Sequence, residues 1–246
     1  MLSVKNITFT VKENGKETTI LNNVSFNFED GKTYAITGHN GSGKSTLAKI
    51  IMGIEKPTSG TITFNNEDIS SYSITKRAKL GISFAFQNPV RFKGLTALDL
   101  IKVASGNNGT FNDYCSYLSA VGLCARDYSS RELDNKLSGG ELKRIEIASC
   151  LARRAPLNIF DEPEAGIDLW SFDALTGIFE NLKKQKCTNI IISHQEKLLK
   201  TADEIIVISN GKIEAHGKPS VILKNLNTSS VCARLKGGNN GTNENR

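Results

Sequence analysis

Gly38-His39-Asn40-Gly41-Ser42-Gly43-Lys44-Ser45-Thr46 decides how this chain is read. The stretch fits G-x-x-x-x-G-K-[ST], the spacing of a phosphate-binding loop, and its flanks supply the context that spacing needs. Upstream, Thr33 to Thr37 reads as a short strand. Downstream, Leu47, Ile50 and Ile51 recur at helical spacing, with Gly53 placed to stop the helix. A strand, a glycine loop and a helix in that order let successive backbone N–H groups curl toward phosphate oxygens, and the helix adds its positive end. Gly38, Asn40, Gly41, Ser42 and Gly43 then form the cradle. Lys44 is placed to bridge β- and γ-phosphates, Ser45 to bind Mg²⁺ through its hydroxyl, and Thr46 to hydrogen-bond the α-phosphate.

Two further stretches carry chemistry. Leu157-Asn158-Ile159-Phe160-Asp161-Glu162 is an apolar strand that ends in two acids. Ligands gather at the carboxyl ends of parallel strands, so Asp161 is placed to hold Mg²⁺, directly or through water, and Glu162 to take a proton from an attacking water. Leu137-Ser138-Gly139-Gly140-Glu141 precedes an amphipathic helix with Leu142, Ile145, Ile147 and Ala148. Ser138 and Glu141 form a capping box. Two glycines in a first turn weaken a helix, so they need a second reason, and a glycine-lined helix start is an anion site.

Around these motifs the chain alternates between strand and helix patterns. Val4 to Phe9 and Ile20 to Phe28 read as strands, with Val24, Phe26 and Phe28 on one face. Thr61 to Phe64, Ile82 to Phe86, Leu157 to Phe160, Thr188 to Ser193 and Glu204 to Ser209 read as further strands, and Leu169 to Leu182 as a helix. Asn210-Gly211 is a hairpin turn signal. From Leu95 to about Cys150 the pattern is mostly helical, broken at Gly106 to Gly109, which marks an inserted helical subdomain. Strands alternating with helices imply an α/β fold.

Composition narrows the function classes. The 246 residues carry 31 Lys+Arg against 25 Asp+Glu, a net charge of +6, with no basic run of the kind that binds nucleic acid. No apolar stretch approaches the ~20 residues that span a bilayer, and no secretory leader is visible. The five cysteines are widely and irregularly spaced, a poor disulfide or metal framework. These readings point to a soluble, cytoplasmic protein with no nucleic-acid partner and no direct membrane insertion.

The order of phosphate loop, Gln87 after a strand, Leu137-Ser138-Gly139-Gly140-Glu141, Asp161-Glu162 and Ser193-His194 resembles that of the ATP-binding cassette ATPases over roughly residues 2–215. The resemblance implies an α/β fold with a P-loop and a mixed sheet core, an N-terminal antiparallel β subdomain and an inserted helical subdomain. It implies a single cassette over 1–225, with a nucleotide core at 1–87 and 151–225, a helical subdomain at about 88–150 and a flexible tail at 226–246. It also implies residue roles. Gln87 would sense Mg²⁺ and the γ-phosphate. Ser138, Gly139 and Gly140 would meet ATP held by a second chain, Asp168 would sit in the loop crossing between the two, and His194 would bond the γ-phosphate and support Glu162. One cassette per chain then requires an ATP-dependent dimer whose hydrolysis unlatches the pair.

Departures from the family pattern refine the expectation. The position that often holds an adenine-stacking aromatic is Val11, with Phe9 expected on the opposite side. His39 replaces a common Pro and is not read as catalytic, and Glu164-Ala165-Gly166-Ile167-Asp168 is unusual. Phe84-Ala85-Phe86-Gln87-Asn88-Pro89-Val90 and Gly166-Ile167-Asp168 resemble the SufC group, the ATPases of iron–sulfur cluster assembly. That resemblance implies a SufB- or SufD-like scaffold as partner. The alternative is the ATP-binding subunit of a membrane importer, gripping a permease. A repair-type cassette would need a long coiled-coil insertion and a translation factor two cassettes, and neither is present. Lys44, Glu162 and His194 together argue against a module that binds ATP without turnover.

Overall fold

Thr33–Thr37, Leu157–Asp161 and Thr188–Ile192 have no exposed position. Such runs belong in the middle of a parallel sheet covered on both faces. The computed structural model describes residues 1–13, 15–134 and 136–228 and places them there.

The chain opens with β1 (Leu2–Glu13) and β2 (Lys16–Phe28), followed by β3 (Thr33–Thr37), α1 (Lys44–Met52), β4 (Ser59–Phe64) and β5 (Glu67–Asp68). Then come α2 (Ile74–Lys79), β6 (Ile82–Ala85), β7 (Phe92–Thr96), α3 (Ala97–Ala104), α4 (Phe111–Ala120), α5 (Ala125–Tyr128), β8 (Glu132–Leu133) and α6 (Gly139–Arg153). The last part holds β9 (Leu157–Asp161), α7 (Leu169–Lys183), β10 (Thr188–Ile192), α8 (Glu196–Thr201), β11 (Glu204–Ser209), β12 (Lys212–Gly217) and α9 (Pro219–Thr228).

Among the described residues these strands make a six-stranded sheet in the order β12-β11-β3-β10-β9-β6 and a four-stranded sheet in the order β2-β1-β4-β5. The larger sheet is parallel except for β12, which pairs antiparallel with β11. Asn210 (φ 48°) and Gly211 (φ 72°) turn that hairpin, as the Asn-Gly dipeptide favours. The smaller sheet is antiparallel.

Period-two alternation divides the core. Ile36, Ile159, Ile190, Ile192, Ile206 and Ile208 join β1, β2 and α1 on one face. Phe160 and Ile191 face the other way, into a cluster with residues of α3, α4, α6 and α7. Ala35, Ile205 and Val207 meet Ile222 of α9.

The middle segment, read from sequence as mostly helical, also contains the short β7–β8 ribbon, in which Phe92 pairs with Leu133 and Thr96 with Glu132. The partners are far apart in sequence, so local periodicity carries no sign of it. The helices α2 and α8 span six residues each, too few for a periodic signal. Cys115, Cys124, Cys150 and Cys187 are free thiols. Cys232 and the part of the expected tail from 229 to 246 lie outside the described residues.

Arg77 holds the first βα unit to α2. It is 1% exposed, and its guanidinium donates to the carbonyls of Ile50 and Ile51 (both 2.7 Å), Tyr72 (3.1 Å) and Ser70 (3.0 Å). Ile50 and Ile51 lie in the last turn of α1, where a cation meets both orphan carbonyls and the negative helix end. Arg77→Met should therefore destabilise the fold by about 3 kcal/mol, since it strands buried acceptors. Urea unfolding measures this, and a loss under about 1 kcal/mol would refute the role given to Arg77.

Candidate functional site

Four adjacent parallel strands deliver the candidate residues to one edge of the sheet. β3 runs into the glycine loop, β10 ends at Ser193-His194, β9 ends at Asp161-Glu162 and β6 leads to Phe86-Gln87. The carboxyl edge of such a sheet is where ligands bind. Asn40, Gly41, Gly43, Lys44, Ser45, Thr46, Gln87, Glu162 and His194 line one cleft of about 470 Å³, with Ile20 at its wall.

The loop's glycines have steric reasons. Gly38 has φ 141°, and a Cβ there would lie 1.9 Å from the Ile208 carbonyl oxygen. Gly43, at φ 100°, caps α1 and would press a Cβ against Leu21. The ammonium of Lys44 folds back over the loop and donates to the carbonyls of Gly38 (2.9 Å) and His39 (2.7 Å). Its pKa is lowered, chiefly by burial, with Glu162 and Asp161 pulling the other way. Ser42 Oγ is buried in the loop with no hydrogen-bond partner. A buried ammonium supported only by neutral carbonyls, together with an unsatisfied hydroxyl, fits an anion that completes both.

Ser45 Oγ donates to Asp161 Oδ1 at 2.8 Å. Burial raises the Asp161 pKa, and the Ser45 bond opposes that shift. A hydroxyl and a carboxylate side by side are the hard-oxygen donors that a Mg²⁺ ion with several waters accepts. Glu162 has φ 45°, and its N–H donates to the Ile192 carbonyl at 3.0 Å, which fastens the β9 end to β10. Gln87 Nε2 donates to Glu162 Oε2 at 2.7 Å. The His194 pKa is lowered, first by burial and then by Lys44, so the ring is held neutral near neutrality.

Ser138, Gly139, Gly140 and Asp168 do not line this cleft. Ser138 caps α6: its hydroxyl accepts from Glu141 N at 3.2 Å, and its N–H donates to Glu141 Oε2 at 2.7 Å. A Cβ on Gly139 would meet nothing within 4 Å, so that glycine faces open space, whereas a Cβ on Gly140 would lie 2.5 Å from the Gly166 carbonyl oxygen. The start of α6 thus touches the loop that leads to Asp168.

Three features of the site escaped the sequence reading. β1 pairs Phe9, Thr10 and Val11 with Leu21, Thr19 and Thr18, so the extra residue of the bulge is Ile20 on β2. Phe9 and Val11 therefore share one side of β1, contrary to the expectation of opposite sides. Phe9 packs on the core, and Ile20 supplies an apolar wall of the cleft. Second, Glu164 accepts from Ser193 Oγ at 2.5 Å, and Ser193 Oγ accepts from Gln195 N at 3.0 Å, which braces the turn that carries His194. Third, Lys143 is wholly buried behind the site. The signal was present: it stands four residues before Ile147 and seven before Cys150, both buried, on the inward stripe of α6.

The ABC transporter family profile matches residues 21–165. An uncharacterised ABC transporter ATP-binding protein of Methanocaldococcus jannaschii is 38% identical over 211 residues, covering 82% of this chain and 84% of its own. The energy-coupling factor transporter ATP-binding protein EcfA1 of Mesomycoplasma hyopneumoniae is 38% identical over 233 residues, covering 92% and 84%. Among solved structures, the dimeric post-hydrolysis state of the ATP-binding cassette MJ0796 with ADP and phosphate superposes with a TM-score of 0.81 at 26% identity, covering 89% of this chain and 99% of that one.

These relatives overturn one expectation. They are transporter subunits by name, and none of them is a SufC, so the assignment to iron–sulfur cluster assembly with a SufB- or SufD-like scaffold is withdrawn. The physical reason lies in the segment that prompted it. Phe84 and Phe86 pack ring to ring at 4.8 Å and line a groove with Val90 and Phe92. The two rings pack on each other within the fold, so a short aromatic match in this segment does not by itself identify a partner. Among the described residues no helix is long and apolar enough to cross a membrane. The sheet, the phosphate loop and the matched relatives agree: this chain belongs to the ATP-binding cassette family of ATPases.

Proposed function

We propose that the chain is the ATP-hydrolysing subunit of a membrane importer and works as a pair of cassettes on the cytoplasmic side. One observation carries the reading: Lys44, Ser45, Gln87, Glu162 and His194 line a single cleft while Ser138, Gly139, Gly140 and Asp168 stand outside it. A site split in this way is completed by a second copy. The transporter names of the relatives and the dimeric state of MJ0796 support the same reading.

In this mechanism the glycine loop 38–43, Lys44 and Thr46 hold the ATP phosphates. Ser45, Gln87 and Asp161 would hold a Mg²⁺ ion, which would supply charge neutralisation at the phosphate oxygens. Glu162 accepts the proton of the attacking water, with one carboxylate oxygen steadied by Gln87. Neutral His194 donates to the γ-phosphate. Ser138 and Gly140 of the second chain close over that phosphate, and Asp168 lies in the crossing loop. Loss of the γ-phosphate removes what joins the two chains.

Residues 1–87 and 151–225 serve as the nucleotide core, and about 88–150 as the helical subdomain that meets the permease. The apolar groove formed by Phe84, Phe86, Val90, Phe92 and Leu100 adjoins Gln87 and suits a short helix of the membrane component. This places the partner's grip next to the residue that touches Glu162.

Three outcomes test the proposal. Glu162→Gln should keep ATP affinity within about threefold, slow hydrolysis by roughly 100-fold or more, and give an ATP-dependent dimer by light scattering. Unchanged turnover would remove Glu162 as the base. Co-purification from membranes in mild detergent should recover an integral permease, and recovery of soluble β-rich scaffolds alone would count against the transporter reading. The third concerns pH. The His194 pKa in the folded chain is below its ordinary value of 6.5, so as pH falls the unfolded chain takes up this proton first. The stability this group contributes is present above 6.5 and is lost as pH falls through the folded value. Urea unfolding between pH 7.5 and pH 5 should show a smaller pH-dependent loss in His194→Gln than in wild type, and equal slopes would contradict the assignment.

A further inference from the structure

Lys143 lies in the second turn of α6, among the core residues Leu142, Ile145 and Ile147, and its side chain has no exposed surface. A buried ammonium is strongly unfavourable unless each of its protons is met. Here two carbonyls accept from it, those of Phe86 and, at 3.3 Å, of Asp161, and the Glu146 carboxylate lies 3.5 Å away as its ion-pair partner. Glu146 also accepts the Phe86 N–H on its other oxygen at 3.0 Å. Phe86 is therefore held at both backbone groups, its N–H by Glu146 and its C=O by Lys143. Burial lowers the Lys143 pKa and raises that of Glu146, and each group opposes the other's shift.

The chemistry of these contacts is specific. Phe86 is the residue before Gln87, and Asp161 is the residue before Glu162. The pair thus fixes the two backbone positions from which the bonded Gln87 and Glu162 side chains spring. Its own helix begins at Ser138, the part of the chain offered to a second copy. Neither Lys143 nor Glu146 lines the nucleotide cleft. A pair kept only for stability would be served by apolar side chains of like volume, which often match or exceed a buried ion pair.

We propose that Lys143 and Glu146 are a positioning pair for ATP hydrolysis, setting the distance between the start of α6 and the Gln87–Glu162 pair through the backbones of Phe86 and Asp161. The pair touches no nucleotide. Its loss leaves ATP binding intact and misplaces the acceptor of the water's proton. The inference rests on the roles given above to Gln87 and Glu162.

The test uses the full chain in single-turnover hydrolysis with enzyme in excess, which reads slow rates, beside nucleotide affinity and melting temperature. Lys143→Met should lower the hydrolysis rate about tenfold or more with ATP affinity within about threefold. Lys143→Gln, which keeps an N–H donor, should recover part of that rate. The double variant Lys143→Met with Glu146→Leu removes both charges together. It should regain the wild-type melting temperature without regaining the rate, and it carries the test if the single variant does not fold. Recovery of both stability and rate in the double variant would overturn the proposal, as would a Lys143→Met rate within about twofold of wild type or a loss confined to affinity. Glu162→Gln assayed alongside separates the two readings: full turnover there would remove the base assignment, whereas the Lys143 result reports on the pair itself.

Discussion

Five parallel strands of one sheet end together at one edge, and that constraint governs the polar groups of the site. Within the sheet the backbone groups satisfy one another. At its carboxyl edge the strands stop, and the loops that follow must bring their own partners. The loop after β3 turns its carbonyls onto Lys44. The turn after β9 is tied to β10 through Glu162 N and the Ile192 carbonyl, and the turn after β10 is tied to β3 through Ser193 N and the Ile36 carbonyl. The site is the place where a sheet's regularity runs out, and bonds between neighbouring strand ends stand in for it.

Buried charge is handled in the same manner throughout. Arg77, Lys44 and Lys143 all lie at or below 5% exposure, and all three are met largely by backbone carbonyls. Lys143 has the Glu146 carboxylate beside it as well, whereas Lys44 is hydrogen-bonded to the carbonyls of Gly38 and His39, and its ammonium at the glycine loop favours a polyphosphate over a neutral ligand. Asp161, with its pKa raised by burial and its oxygen bonded to Ser45, is the counterpart for a cation.

The legible parts of this chain were those where one local rule sufficed. The glycine loop, the capping box at Ser138, the hairpin at Asn210-Gly211 and the strand ending at Asp161 each follow from residue type at short range. So do β3 and α1, with Gly53 at the αL stop. What stayed hidden depended on long-range pairing. Phe92 meets Leu133 across the chain's middle, and the bulge that turns Ile20 to the cleft arises only from the register of β2 against β1. The side of Phe9, by contrast, follows from period-two alternation along β1, since residues 9 and 11 share a face. The partner was least legible of all, because the aromatic segment at the end of β6 packs ring on ring within the fold and names no partner by itself. Lys143 could have been found: a cation on the inward stripe of a helix is a question that periodicity raises by itself.

Gly140 approaches the Gly166 carbonyl so closely that no side chain fits between them. The start of α6 and the loop toward Asp168 are therefore pressed together, backbone against backbone, within one molecule. Two segments locked in this way cannot adjust independently to an incoming surface. An approaching copy would encounter a single stiff plate, and misfit at either end would be felt at the other.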